Sequence, residues 1–342
     1  MQSGAFRGMQ ALVYQGFVDA DDLAKVRVSV LEVPELPGDS RISYWDIAQA
    51  NLRRHAALAI VGAEVELTIG EHRICDVTDS RGFVNFSLPV PGLGPGWHDA
   101  RAVVTPIEGG ESASAVGQVI KPAQSRFLVI SDIDDTILLT GLTEGLTMLA
   151  RTVLRAAAQR KAIPGMAEFY RGLQRGSTGL GEKGPEPAFF YVSTGSWSFY
   201  PLLTEFTELR GFPHGPIFLT DWGPTERYLR RSGAEHKRAA IRRLFEAYPD
   251  MPFILIGDSG QRDAVTYAEL SREYPGRTAL IVIRQVGNDD DSRNIAIRER
   301  SGELRDEGIP LYLVADAAAA ADVAYEKGLC DAATPDAVRA VI

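Results

Sequence analysis

Arg126-Phe127-Leu128-Val129-Ile130-Ser131-Asp132-Ile133-Asp134-Asp135-Thr136-Ile137 is the stretch whose reading decides the fold. Phe127 to Ile130 form a short, continuously apolar run, which predicts a strand buried on both faces of a parallel sheet. Asp132, Asp134 and Asp135 follow at once. Two carboxylates ~4 Å apart repel by roughly 4 kcal/mol at an effective dielectric of about 20, so acids clustered at the end of a buried strand imply a cation, a shared proton or catalytic work. Ligands of open α/β sheets bind at the carboxyl ends of the strands, where these acids are expected.

Downstream, the same grammar repeats. Apolar strands are expected near 127–131, 188–193, 216–220, 252–257, 278–283 and 310–314, with helical patterns over 143–161, 164–174, 198–210, 234–247, 262–273 and 316–328. That alternation predicts an α/β domain over 126–342 with a doubly wound parallel sheet. The interval from Thr140 to Pro187 is too long for a simple crossover and predicts a small helical cap over the site, about 140–187. Upstream, residues 1–121 read differently. Val26, Val28 and Val30 alternate, and β-rich runs recur at Glu64 to Ile69, Gly82 to Leu88, His98 to Val104 and Ala115 to Ile120. A smaller β-sandwich is expected there, carrying a helical insertion over Ser43 to Ala57. Lys121-Pro122-Ala123-Gln124-Ser125 reads as the linker between the two patterns.

Four strand ends then carry polar residues in a consistent order. They are Asp132-Ile133-Asp134-Asp135-Thr136, Ser193-Thr194-Gly195-Ser196, Lys237 at the start of a helix, and Gly257-Asp258-Ser259-Gly260-Gln261-Arg262-Asp263. Together they meet the needs of phosphoryl transfer through an aspartyl-phosphate. Asp132 is the expected nucleophile, and the two-residue step to Asp134 lets a second carboxyl serve as general acid and then base. Ser193 and Lys237 are placed to hold phosphoryl oxygens, with donors from the loop after Asp132. Asp258 and Asp263, with Asp132 and Asp134, suit Mg²⁺, which takes few carboxylates and keeps oxygens from water and phosphate.

This order of motifs resembles the haloacid dehalogenase superfamily of phosphotransferases. The longer words Tyr191-Val192-Ser193-Thr194-Gly195-Ser196-Trp197, His236-Lys237 and Phe253-Ile254-Leu255-Ile256-Gly257-Asp258-Ser259-Gly260-Gln261-Arg262-Asp263 resemble the actin-patch phosphatidate phosphatase catalytic-domain family, a relative of the lipins. The resemblance covers roughly 126–286 and implies a Mg²⁺-dependent phosphomonoesterase of haloacid dehalogenase-like fold, with phosphatidate the substrate of the characterised branch. That family more often shows Ser-x-Ser-Pro where this chain has Ser193-Thr194-Gly195-Ser196, which leaves Thr194 to share or take the phosphate-binding role beside Gly195 and Thr136.

Composition bounds the alternatives. The chain has 342 residues, and a formal net charge of -9 argues against nucleic acid as the main partner. Cys75 and Cys330 stand far apart, which fits a reducing cytoplasm better than a disulfide framework. Met1 to Gln10 lacks a charged start followed by a long apolar core, so no signal peptide is expected, and Ala57 to Ala63 is far short of a membrane span.

Other readings of single motifs are weaker. A calcium loop opening at Asp132 wants Gly at its sixth position and Glu at its twelfth, but Ile137 and Thr143 stand there. Gly257-Asp258-Ser259-Gly260 resembles a serine-protease word, but Gln261 follows and the context is strand then helix. Lys237 lies among Arg230, Arg231, Arg238, Arg242 and Arg243, whose arginines read as a solvated face. Trp197 and Trp222 read as packing residues, His214 and His236 are candidates for a substrate pocket, and Asp135 carries no assignment.

Leu142, Leu146, Leu149, Val153 and Ala157 form an apolar stripe beside Arg151, Arg155, Arg160 and Lys161. The stripe reads either as a cap helix packed on the core or as a helix lying on an anionic membrane and presenting phosphatidate to Asp132. The alternatives for the whole chain are a phosphatase for a small soluble phosphoester and a scaffold working through its β-rich domain.

Overall fold

The computed structural model describes residues 7–34, 59–105, 112–138, 162–176, 184–220 and 226–342. The chain divides into two compact units, Met1–Pro122 with Ser198–Leu202, and Ala123–Trp197 with Leu203–Ile342.

The first unit is β-rich. It holds β1 (Arg7–Val13), β2 (Gly16–Val18), β3 (Leu23–Pro34), β4 (Glu64–Ile69), β5 (His72–Val77), β6 (Phe83–Pro89), β7 (Gly96–Thr105) and β8 (Ala113–Lys121). Alternation decides which face each strand buries. Val26, Val28 and Val30 of β3 point into the same core as Val65, Leu67 and Ile69 of β4 and Val84, Phe86 and Leu88 of β6. On the other face of β3, Lys25 donates to Ser87 and Arg27 to Asn85, each at 2.7 Å, across the β3–β6 pairing.

A two-sheet sandwich was expected, but the eight strands hydrogen-bond as one sheet, in the order β1-β3-β2-β8-β7-β4-β5 with β6 on β3. The short 78–82 turn joins β5, one end of that pairing path, to β6, which pairs with β3 near the other end, so the sheet must curl round its core. Asp79 builds the turn by accepting from the amides of Arg81 at 2.8 Å and Phe83 at 2.9 Å. Gly82 takes φ 76° there, and a Cβ would come within 2.7 Å of the Val30 carbonyl. The expected helical insertion at Ser43 to Ala57 lies outside the described residues.

The second unit is α/β. Its strands are β9 (Leu128–Asp132), β10 (Phe189–Ser196), β11 (Ile217–Thr220), β12 (Phe253–Asp258), β13 (Thr278–Arg284) and β14 (Leu311–Val314). Its described helices are α1 (Met166–Gly176), α2 (Tyr200–Leu209), α3 (Glu226–Ala247), α4 (Asp263–Glu273), α5 (Ser292–Asp306), α6 (Ala317–Glu326) and α7 (Ala333–Arg339). The strands pair in parallel in the order β11-β10-β9-β12-β13-β14. β9 and β12 are buried along their whole length, as unbroken apolar runs in a parallel sheet require. Chain order reverses between these two neighbours, and such a switch point opens a crevice at the carboxyl ends of the strands. Asp132 and Asp258, the last residues of β9 and β12, stand at that crevice.

Within the interval expected to form a cap, α1 is described, with Met166, Phe169, Tyr170 and Leu173 buried along one stripe. Residues 139–161 and 177–183 lie outside the described residues, and with them the stripe from Leu142 to Ala157 and its basic neighbours. No helix among the described residues is long and apolar enough to cross a membrane.

Candidate active site

β9 delivers Asp132 with 0% exposure into a tight turn. The amides of Thr136, Ile137 and Leu138 all reach the Ile133 carbonyl, at 3.3, 3.1 and 3.2 Å, and Asp135 reverses the chain at φ 53°. A non-glycine residue in that region is costly, so the turn must be held by other contacts. The turn sends its side chains in defined directions. Thr136 Oγ1 donates to Asp132 Oδ2 at 3.1 Å, and Asp134 Oδ2 accepts from Ser193 Oγ at 2.7 Å. Ser193 Oγ in turn accepts from the Gly195 amide at 3.0 Å, which fixes its proton toward Asp134.

Lys237 comes from α3. Its ammonium donates to Asp263 Oδ1 at 2.6 Å and Gln261 Oε1 at 3.3 Å, and forms an ion pair with Asp132 Oδ1 at 2.7 Å, a buried oxygen that accepts no hydrogen bond. Asp263 opens α4 and also accepts from the Asp258 amide at 3.2 Å through Oδ2. Residue 257 has to be glycine for this, because a Cβ would sit 2.4 Å from that oxygen. Asp258 Oδ1 accepts from the amides of Gly260 at 2.6 Å and Gln261 at 3.1 Å. Its Oδ2 is buried and has no hydrogen-bond partner.

Four buried carboxylates, Asp132, Asp134, Asp258 and Asp263, thus meet one buried ammonium. Burial pushes the Asp132 carboxyl well above the usual range, and Asp263, Asp258 and Asp134 add to the rise against the pull of Lys237. Burial also raises Asp134, offset in part by the Ser193 hydrogen bond. Asp258 is pushed up to about 7 by burial and by Asp263. For Lys237 burial works against the charge, but Asp132 and Asp263 prevail and raise it.

A cation would relieve the imbalance. Asp132, Asp258 and Asp263 each offer an oxygen, all within 4.8 Å of one another. Charges that far apart repel by about 3 kcal/mol at an effective dielectric of 20, and Asp258 also carries the orphaned Oδ2. An all-oxygen donor set suits a hard divalent ion. The fourth carboxylate expected as a ligand, Asp134, is outside this group and turned to Ser193.

The remaining expected residues fall around the same strand ends. Thr194 is half-buried, and its carbonyl and that of Gly195 accept from Thr220 Oγ1 at 3.2 and 3.1 Å. Arg238 and Arg242 lie on the outside of α3, paired with Glu269 and Glu273 at 2.9 and 2.7 Å. The side chains of Trp222, Arg230 and Arg231 lie outside the described residues. His214 is exposed, and the partial desolvation of its ring lowers its pKa. Sequence reading passed over Thr220, Arg284 and a role for Gln261. Arg284 Nε donates to the Asp135 carbonyl at 2.9 Å, and Gln261 Nε2 reaches the Asp134 carbonyl at 3.4 Å. A charged residue ending the apolar run Ala279 to Ile283 was the available signal for Arg284.

Comparison with known proteins places this site in context. Residues 127–285 match the family model described as phosphatidate phosphatase APP1, catalytic domain. Phosphatidate phosphatase APP1 of Saccharomyces cerevisiae is 32% identical over 161 residues, which is 47% of this chain and 26% of that protein. An uncharacterized protein of Schizosaccharomyces pombe is 29% identical over 162 residues, 47% of this chain and 25% of its own length. The chain therefore spans about a quarter of the length of these relatives. A solved carbohydrate acetylesterase from Xanthomonas citri aligns over 91% of this chain and 73% of its own at 11% identity, with a TM-score of 0.28, too low to carry an argument.

Proposed function

We propose that this chain is a Mg²⁺-dependent phosphomonoester hydrolase working through an aspartyl-phosphate, on the premise that residues 127–285 belong to the family of phosphatidate phosphatase APP1 catalytic domains. The observation that carries the reading is the buried cluster in which Lys237 bridges Asp132 and Asp263 beside the orphaned oxygen of Asp258. The strand order, with its reversal between β9 and β12, supports a haloacid dehalogenase-like, doubly wound sheet.

Asp132, Asp258 and Asp263 are the residues to hold the metal, which when bound neutralises charge on the phosphoryl oxygens. The chain's own groups do the rest. The Asp132 carboxylate attacks phosphorus, the bond to the ester oxygen breaks, and Asp134 gives its proton to the departing alkoxide. Asp134 then takes a proton from water, which attacks the acyl-phosphate and releases inorganic phosphate, returning Asp132 to its starting state. Ser193 orients Asp134 through the 2.7 Å hydrogen bond, and Lys237 favours the ionised form of the nucleophile against the burial that opposes it. Thr136, Thr194 and Gly195 are the residues proposed to bind the phosphoryl oxygens.

Phosphatidate, the substrate class in the name of the yeast relative, is the proposed substrate. The test is phosphate release with Mg²⁺ from phosphatidate in vesicles and from glycerol 3-phosphate, using wild type and Asp132→Asn. Release from phosphatidate that Asp132→Asn abolishes is the expected result. Release from the soluble ester alone would assign the site to small phosphoesters, and equal rates in the two proteins would remove Asp132 as nucleophile.

A further inference from the structure

The geometry points to Arg284 as the positioning residue of the Asp132–Leu138 turn, acting on Asp134 through the backbone. Arg284 is the last residue of β13 and pairs in register with Asp258 of β12. Its guanidinium is half-buried, and both Nε, at 2.9 Å, and Nη2 donate to the carbonyl of Asp135, while Nη1 donates to the Gln285 carbonyl at 2.9 Å. A forked guanidinium on one carbonyl fixes the plane of a peptide in a way a single donor does not.

That peptide follows the residue at φ 53°. Left-handed backbone at a non-glycine residue is unfavourable, so the turn relaxes elsewhere unless something holds it. The neighbouring carbonyl, of Asp134, is met by Gln261 Nε2 at 3.4 Å, a weaker contact than the fork of Arg284 on Asp135. The held turn sets two side chains at once: Asp134, whose carboxyl meets Ser193, and Thr136, whose hydroxyl meets Asp132. Asp132 itself is fixed by β9 and Lys237. Loss of Arg284 therefore displaces the proposed proton donor and leaves the nucleophile in place.

The inference rests on the phosphatase reading for its kinetic consequence, and separates from it experimentally. In Arg284→Met, kcat for an alkyl ester (phosphatidate or glycerol 3-phosphate, whichever the wild type hydrolyses) falls by up to ~100-fold, because a poor leaving group needs Asp134 in place. For p-nitrophenyl phosphate, whose leaving group needs little protonation, the fall stays within about threefold, and KM stays near the wild-type value for both esters. Arg284→Lys recovers part of the alkyl-ester rate. Amide hydrogen exchange over 133–138 quickens in Arg284→Met at an unchanged melting temperature.

Equal losses on the two esters with a lowered melting temperature would reduce Arg284 to a structural role and overturn the inference. Unchanged exchange over 133–138 would overturn it regardless of activity. A wild type that releases phosphate from no ester would instead overturn the phosphatase reading, while faster exchange in the variant would still support the anchoring role.

Discussion

Replacing Lys237 with Met removes the one ammonium among four buried carboxylates and nearly keeps the volume of the side chain. In the folded protein Asp132 and Asp263 each give Lys237 an oxygen within 2.7 Å, with exposures of 0% and 1%. Without it, oxygens within 4.8 Å of one another repel by about 3 kcal/mol at an effective dielectric of 20. Removing one partner of a buried pair generally costs roughly 3–5 kcal/mol. The carboxylates have an escape, because they can take up protons, and this sets the expected pH profile. The folded pKa values of Asp132, Asp134 and Asp258, already raised, rise further in the variant, so its deficit is greatest at high pH and shrinks as pH falls through those values.

The expected loss for Lys237→Met is therefore about 3 kcal/mol near pH 8 without metal, or ~6–12 °C in melting temperature for a unit of roughly 200 residues. It should fall by half or more near pH 5. Urea unfolding followed by tryptophan fluorescence, with EDTA present, measures it, and millimolar Mg²⁺ should return part of the loss. A deficit below about 1 kcal/mol at pH 8, or one that stays constant from pH 8 to pH 5, would refute the account of Lys237 as the charge that holds this cluster together.

Mg²⁺ should raise the melting temperature of the wild type, by an amount equivalent to roughly 2.7 kcal/mol at 100 times its dissociation constant, and Asp258→Ala should abolish that increment; an Asp258→Ala protein still stabilised by Mg²⁺ would take Asp258 out of the metal site. Metal-free wild type should lose stability as pH rises from about 4 to about 7, because over that range the folded chain keeps on Asp258 a proton that the unfolded chain, with an ordinary value of 3.8, has released. The loss is on the order of 4 kcal/mol, and pH-dependent urea melts with EDTA that showed the opposite slope would contradict the burial of this group. Gly257→Ala should destabilise by about 1–3 kcal/mol and weaken the Mg²⁺ increment, since its methyl displaces Asp263; calorimetry with and without Mg²⁺ checks both. Asp134→Asn should spare p-nitrophenyl phosphate and lose alkyl esters, as measured by phosphate release.

The parts of this protein legible in its sequence are those where local chemistry alone sets the structure. β9 and β12 announce themselves as unbroken apolar runs, and the acids after them need no further clue. Lys237 is harder, because in sequence it sits within a run of arginines. Its position is nonetheless marked by helical spacing: Lys237, Ala240, Ile241 and Leu244 fall at steps of three and four and are all buried, while Arg238 and Arg242 turn outward to glutamates. A lysine in an apolar stripe was the readable signal.

Helix α5 was missed because only Asn294, Ser301 and Leu304 are buried along it, so no stripe forms, and its start is set by Asp291 accepting from the Arg293 amide at 2.9 Å. β5 was missed because only His72 and Ile74 are even partly buried and its side chains do not alternate in polarity. Arg284 escaped for a different reason. It lies 149 residues from Asp135 in the chain, and no word around it carries chemistry. Only the order of strands makes it a neighbour of the site: β13 pairs with β12, β12 with β9, and the register sets Arg284 opposite Asp258. A residue that works by holding another residue's backbone places no demand on the sequence around itself, so the sheet has to be known before the guanidinium can be seen to reach the turn it steadies.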